Sequence, residues 1–110
     1  IHPPCSLKYY LDAMRKVKGD HFFVFSDDPD WCKGIFKSDK YTVISEEQDY
    51  NEMYLMSMCK NNIIANSSFS WWGAWLNNNE DKIVVAPKQW FGPSAKMSCR
   101  DIIPDEWLRL

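Results

Sequence analysis

Apolar residues in this chain change their spacing every few positions, and each change of period marks a new element. Leu7, Tyr10, Leu11, Met14 and Val17 recur at helical intervals behind Ser6, a residue type suited to an N-cap, and Gly19 is expected to end that helix. His21 to Phe25 is a short unbroken apolar run, the pattern of a strand covered on both faces. Ser26-Asp27-Asp28-Pro29 interrupts it and puts Pro29 where a second helix can begin, one carrying Trp31, Cys32, Ile35 and Phe36. Tyr41 to Ile44 predicts a second strand and Ser45 to Asp49 an acidic loop. Tyr50 to Lys60 is helical in pattern and apolar on most sides (Met53, Tyr54, Leu55, Met56, Met58), which predicts a well-buried helix. Asn61-Asn62 punctuates, Ile63 to Ala65 forms a strand, and Phe69 to Leu76 forms a helix closed by Asn77-Asn78-Asn79. Lys82 to Ala86 is a further strand ending at Pro87. Beyond Trp90-Phe91-Gly92-Pro93 the pattern weakens, and Ile102-Ile103-Pro104 with Trp107-Leu108 predict a tail packed back onto the body.

Strands thus alternate with helices through the middle of the chain, the signature of right-handed βαβ units. The expected fold is a Rossmann-like α/β domain, a mostly parallel sheet with helices on both faces, or half of a larger enzyme built from two. The 110 residues fit a single domain with a real core, and neither a repeat nor a low-complexity linker divides them.

Composition removes several classes of function. A net charge of −2 supplies no basic field for nucleic acid or anionic membrane. No apolar run approaches the roughly 20 residues that span a bilayer. Ile1-His2-Pro3-Pro4 carries neither an initiator Met nor a signal-peptide pattern, so the chain reads as an excised portion of a longer protein. Cys5, Cys32, Cys59 and Cys99 form no CxxC pair and no Cys/His cluster, which argues against zinc. Cys32 and Cys59 fall within predicted helices as small buried hydrophobes, so reduced thiols and a cytoplasmic setting are expected. Asn66-Ser67-Ser68 matches a glycosylation sequon, read as chance at a strand end. The four glycines form no G-x-G-x-x-G, which disfavours a nicotinamide enzyme.

Three polar clusters follow predicted strands, where open α/β sheets bind ligands. They are Ser26-Asp27-Asp28, the acidic stretch with Glu46, Glu47, Asp49 and Glu52, and Asn66-Ser67-Ser68-Phe69-Ser70. Hydroxyls and backbone N–H groups at the start of the Phe69 helix suit the pyrophosphate of a nucleotide sugar. A carboxylate can accept from both the ring N–H and the exocyclic amine of guanine, a second could accept from ribose, and Phe69 could pack on base or sugar. Each feature also has an ordinary structural reading. Asp27-Asp28-Pro29 is a good cap and turn, Glu52 a solvated helix charge, the serines helix caps, and Trp71, Trp72 and Trp75 core residues at helical spacing. His2 and His21 have no visible partner.

Taken in order, the segments Phe25-Ser26-Asp27-Asp28, Trp31-Cys32, Met53 to Cys59, Ile63 to Leu76 and Ala86-Pro87-Lys88-Gln89-Trp90-Phe91 resemble bacterial α-1,2-fucosyltransferases of glycosyltransferase family 11. The likeness runs from Cys5-Ser6-Leu7-Lys8-Tyr9-Tyr10 to Ile103-Pro104-Asp105-Glu106-Trp107, and Ser-Ser-Phe-Ser-Trp-Trp-Gly-Ala is its most specific part. The resemblance implies a GT-B-like enzyme that transfers fucose from GDP-fucose to the 2-hydroxyl of a galactoside acceptor, with inversion and without a metal or other cofactor. It implies that Asn66, Ser67, Ser68, Phe69 and Ser70 lie against the donor, joined by Asp27 and Asp28, with Glu52 aligning to a carboxylate that reads guanine in more distant relatives. The family's His-x-Arg-x-Gly-Asp motif, whose arginine contacts the diphosphate, is absent from these 110 residues and in family members precedes a segment like Cys5 to Tyr10.

The resemblance therefore predicts a donor-binding C-terminal portion, inactive by itself, whose partner is the N-terminal domain of the same enzyme. No catalytic residue is assigned within it. A peripheral position at the bacterial inner membrane follows from the same likeness. Two other readings stay open: a non-catalytic carbohydrate- or protein-binding α/β module using exposed tryptophans, and a remnant that forms a homo-oligomer through an uncovered face.

Overall fold

The computed structural model describes residues 5–26, 28–44, 49–65, 67–88 and 103–110, with backbone alone for Asp49, Tyr50 and Ser68. In chain order the elements are α1 (Leu7–Val17), β1 (Phe22–Phe25), α2 (Pro29–Ile35), β2 (Tyr41–Ile44), α3 (Asp49–Ser57), β3 (Asn62–Ile63), α4 (Ser68–Trp75), β4 (Val84–Ala86) and β5 (Leu108–Arg109). Every described pairing is parallel. Phe22 lies opposite Tyr41 and Phe25 opposite Ile44 in one ladder, while β3, β4 and β5 form a second. The strand direction follows the alternation in the sequence. A mixed α/β architecture with two small parallel sheets is the result, rather than one continuous ladder through the described strands.

Helices cover both faces of the β3–β4–β5 sheet, and the two-residue period of β4 decides which side chain meets which helix. Val85 joins Tyr9, Ala13 and Val17 of α1 on one face. Val84 and Ala86 point the other way, into a cluster with Met56 of α3, Ala74 of α4, Ile64, Ile103 and Trp107. All three β4 residues are buried, as a strand covered on both sides requires. Phe22 packs against the first cluster and Phe25 against the second, so β1 spans both cores although among the described residues it pairs only with β2. Fully burying a side chain such as Ile64 or Val85 contributes about 1.5–3 kcal/mol.

A buried phenol locks α1 to the sheet. Tyr9 Oη donates to the carbonyls of Ile64, at 2.5 Å, and Val85, at 3.0 Å, just where β3 leaves the ladder. Burial pushes the Tyr9 phenol well above its ordinary pKa, with the neighbouring Cys5 and Tyr10 adding to the effect.

Several local expectations need correcting. The first helix ends at Val17, and Lys18, not Gly19, takes the left-handed position (φ 53°), its N–H donating to Met14 O. Cys59 falls just beyond α3, half-buried, its thiol donating to Leu55 O and its pKa raised by burial. α3 is not well buried: Met56 faces α4, while Tyr54 is 64% exposed and Met58, just past the helix end, 66%. An all-round apolar helix hides only what its neighbours cover, and here α4 covers one side. The tryptophans of α4 are not simply core either. Trp71 stacks on Trp75 and leans on Trp107, but Trp72 and Trp75 keep about half their surface. The C-terminal tail does pack back, and it does so as a strand: Leu110 N donates to Ala86 O, and Lys88 N to Leu110 O.

Candidate functional site

The α4 N-terminus is assembled by two serines acting on each other. Ser67 is extended (φ −136°, ψ 143°) and its Oγ accepts from Ser70 N at 3.1 Å, which makes it the N-cap. Ser70 Oγ lies 3.0 Å from Ser67 Oγ and 3.2 Å from the carbonyl oxygens of Ala65 and Ser67. Ser70 is buried, so its hydroxyl fastens the helix start to the end of β3. Its contribution to a ligand would be to hold the turn. The helix itself provides no acceptor for the N–H groups of its first residues, Ser68 and Phe69. With no acidic side chain in the first turn to compete, these donors and the positive end of the helix dipole suit an anion.

Phe69 is half-buried and packs against the same core as Phe25, the last residue of β1. Phe25 at the end of β1 and Ile64 just after β3 therefore belong to one apolar cluster. Asp28, directly after β1, caps α2: its Oδ1 accepts from Trp31 N at 3.1 Å, and its own N–H donates to Ser26 Oγ at 2.9 Å. Pro29 takes the first helical position, as its fixed φ and missing N–H favour. The capping role of Asp28 is thus realised, and the carboxylate stays exposed. Glu52 sits partly buried on α3. Asp27, Asn66, Glu46 and Glu47 lie outside the described residues, as does the side chain of Ser68.

A hollow of about 570 Å³ lies elsewhere. It is lined by Tyr54, Ser57, Met58, Leu76 and Asn77 at the C-terminal ends of α3 and α4. One helix length separates it from Ser67, about 12 Å for eight residues. The side chains of Ser57, Asn77 and Asn79 are already engaged there. Ser57 Oγ donates to Tyr54 O, Asn77 Nδ2 to Cys59 O and Asn62 Oδ1, and Asn79 Nδ2 to Lys60 O. Asn62 Nδ2 in turn donates to Met56 O, and Lys82 Nζ to the carbonyls of Ala74 and Asn77 at the α4 C-terminus. This amide network, built from segments that look like mere punctuation in the sequence, ties the α3–β3 and α4–β4 turns together. It fixes α4 from its far end, so the N-terminus is held at both ends of the helix. Among the described residues no group of three or more His, Cys, Asp or Glu is placed to hold a metal, and no helix is long and apolar enough to cross a membrane.

Comparison with known proteins agrees with the ordered motifs. The family model for glycosyl transferase family 11 matches residues 1–110. The O-antigen biosynthesis glycosyltransferase WbnK of Escherichia coli is 44% identical over 118 residues, covering all of this chain and 38% of that protein. An alpha-1,2-colitosyltransferase of Escherichia coli is 44% identical over 119 residues, covering all of this chain and 41% of that protein. The chain therefore spans about two fifths of the length of these relatives. No solved structure matches.

Proposed function

The chain belongs to glycosyltransferase family 11, and on that premise we propose that it forms the donor-binding side of an inverting α-1,2-fucosyltransferase that uses GDP-fucose and a galactoside acceptor. The observation carrying this reading is the Ser67-capped start of α4, where the helix itself offers the Ser68 and Phe69 N–H groups no acceptor, at the end of a parallel strand. In the reaction the bond between the sugar's anomeric carbon and the diphosphate breaks, the acceptor 2-hydroxyl oxygen bonds to that carbon, and the hydroxyl proton passes to a base. Negative charge gathers on the departing diphosphate. N–H groups already aimed at it stabilise the transition state without reorganisation. Phe69 would pack on base or sugar, the carboxylates of Asp27, Asp28 or Glu52 would read guanine and ribose, and Asn66 would line the same turn. No step in this scheme calls on a metal.

The remaining positive charge is expected from the family's His-x-Arg-x-Gly-Asp motif, which these 110 residues lack. The chain alone should bind donor and transfer nothing. Calorimetry of GDP, GDP-fucose and ADP against the chain tests the reading. Binding of the guanine nucleotides but not ADP, lost in Phe69→Ala, is the expected result. No binding at millimolar GDP would leave a folded scaffold only, and transfer of labelled fucose by the chain alone would contradict the division of labour. The relative named for colitosyl transfer favours a second reading of the sugar. A colitosyl donor belongs in the same titration, and tighter binding than GDP-fucose would reassign the substrate while keeping the phosphate site.

A further inference from the structure

From Ser67 to Asn79 the chain carries no ionisable residue, and the α4 sequence Ser-Phe-Ser-Trp-Trp-Gly-Ala-Trp is apolar on every side but its first turn. Helices of that composition are buried in finished proteins. Here Trp72, Trp75 and Leu76 are 47%, 51% and 50% exposed. At 100° per residue, Trp75, Trp72 and Leu76 follow one another around the helix, between the side that stacks on Trp107 and the side where Gly73 meets α3. Leu76 then lines the same hollow as Tyr54 of α3 and Met58 just past its end, both largely exposed. The result is a largely apolar face across both helices, interrupted at the hollow by Ser57, Lys60, Asn77, Asn78 and Asn79. At about 150–250 Å² per aromatic side chain, its three half-exposed rings alone leave on the order of 300 Å² of ring surface in water. With Met58 and Leu76 added, the face reaches the size that marks an interaction surface on a soluble protein.

We propose that this α3/α4 face is the seat of the polypeptide that the full-length relatives carry outside the matched region. Well over half of each relative lies there. A covalently attached segment reaches an apolar face at an effective concentration in the millimolar range, ahead of any free partner. The α4 part of the face carries no charge, and Lys60 joins it only at the lining of the hollow. Seating the remainder on the flank of α4 would place it beside the helix whose N-terminus is the candidate donor site, forming a cleft between the two parts. The inference rests on family membership and on the exposed surface; it does not depend on which nucleotide sugar binds.

Hydroxyl-radical footprinting with mass spectrometry tests it. The isolated chain is compared with a longer protein in which it replaces the homologous stretch of the Escherichia coli alpha-1,2-colitosyltransferase. Tyr54, Met58, Trp72 and Trp75 should lose labelling several-fold in the longer protein, while Trp31 on α2, 55% exposed, labels equally in both. Equal labelling of the four residues in both proteins would overturn the proposal. So would protection that grows with concentration in the isolated chain, which would assign the face to a second copy. Should the chimera fail to fold, footprinting the unmodified relative at the aligned positions gives the same readout, with the same outcomes deciding. No nucleotide is used, so failure here and failure of the donor reading are separate results.

Discussion

Gly73, the glycine of the Ser-Phe-Ser-Trp-Trp-Gly-Ala segment, lies directly against Met56 where α4 packs on α3. A Cβ at this position would stand 3.0 Å from Met56 Cβ, 3.2 Å from its Sδ and 3.3 Å from its Cε. Apolar carbons settle at about 3.5–4.0 Å, so the first contact is short by roughly 0.5–1 Å. The thioether end of Met56 can turn aside. Its Cβ is fixed to the α3 backbone, so Gly73→Ala must part the two helices along the seam that buries Met56 and Ala74. Overpacking of this kind costs about 1–3 kcal/mol. Replacing a mid-helix glycine with alanine returns about 1 kcal/mol of helix propensity. The clash is the larger effect, leaving a net loss of about 1 kcal/mol, or a fall in Tm of about 4–8 °C for a domain near this size. Urea denaturation followed by tryptophan fluorescence and a calorimetric Tm measure it directly. Gly73→Val, which adds bulk and less propensity, should cost more. A Gly73→Ala protein with a Tm at or above the parent would refute the reasoning. So would a penalty that vanishes in a Met56→Ala background, because alanine retains the Cβ held responsible.

Further outcomes follow from contacts elsewhere in the fold. Tyr9→Phe keeps the ring but leaves the buried Ile64 and Val85 carbonyls without their hydroxyl donor, an expected loss of about 1–3 kcal/mol in urea midpoints at neutral pH. Because burial raises the Tyr9 pKa, the unfolded chain gives up the phenol proton first once pH passes about 10. Stability held below that pH should fall as pH rises above it, and Tyr9→Phe should lessen the slope without abolishing it, since Tyr10 is raised as well. Asn77→Ala removes two donated amide bonds and the acceptor for Asn79 N, and should cost about 2–4 kcal/mol by thermal denaturation. Ser67→Ala should lose about 1 kcal/mol of capping and Ser67→Gly only a few tenths, a ratio that circular dichroism melts would expose as wrong if the two fell together. Asp28→Asn keeps a capping oxygen, so unchanged melting with weakened GDP binding would show that the carboxylate serves the ligand beyond the cap.

Local signals along the chain were legible because their causes are local. Ser6, Asp28 with Pro29, and Ser67 start helices through bonds reaching only three residues ahead, and all three behave so. The alternation of apolar runs with helical periods likewise implied parallel strands, since a strand buried on both faces needs helices between its neighbours. The ordered motifs identified the family before any geometry was known. Less legible was everything that depends on what lies opposite a side chain. Whether the apolar α3 is hidden, whether Trp72 and Trp75 are core, and whether Ser70 offers its hydroxyl outward or spends it on Ala65 are questions about neighbours distant in sequence or about the path of the turn.

By itself, then, the sequence determined the elements, their parallel sense, the family and the strand–serine–helix turn that makes the candidate donor site. Tertiary structure alone decided that β1–β2 and β3–β4–β5 form separate ladders and that a two-residue C-terminal strand completes the second. It also decided that Asn61, Asn62, Asn77 and Asn79 serve as a clasp between turns, and that an aromatic face stays open on α3 and α4. The physical reason is the range of the forces. Capping and periodicity act within a turn or two of the chain, whereas burial and amide pairing are settled only when remote segments meet.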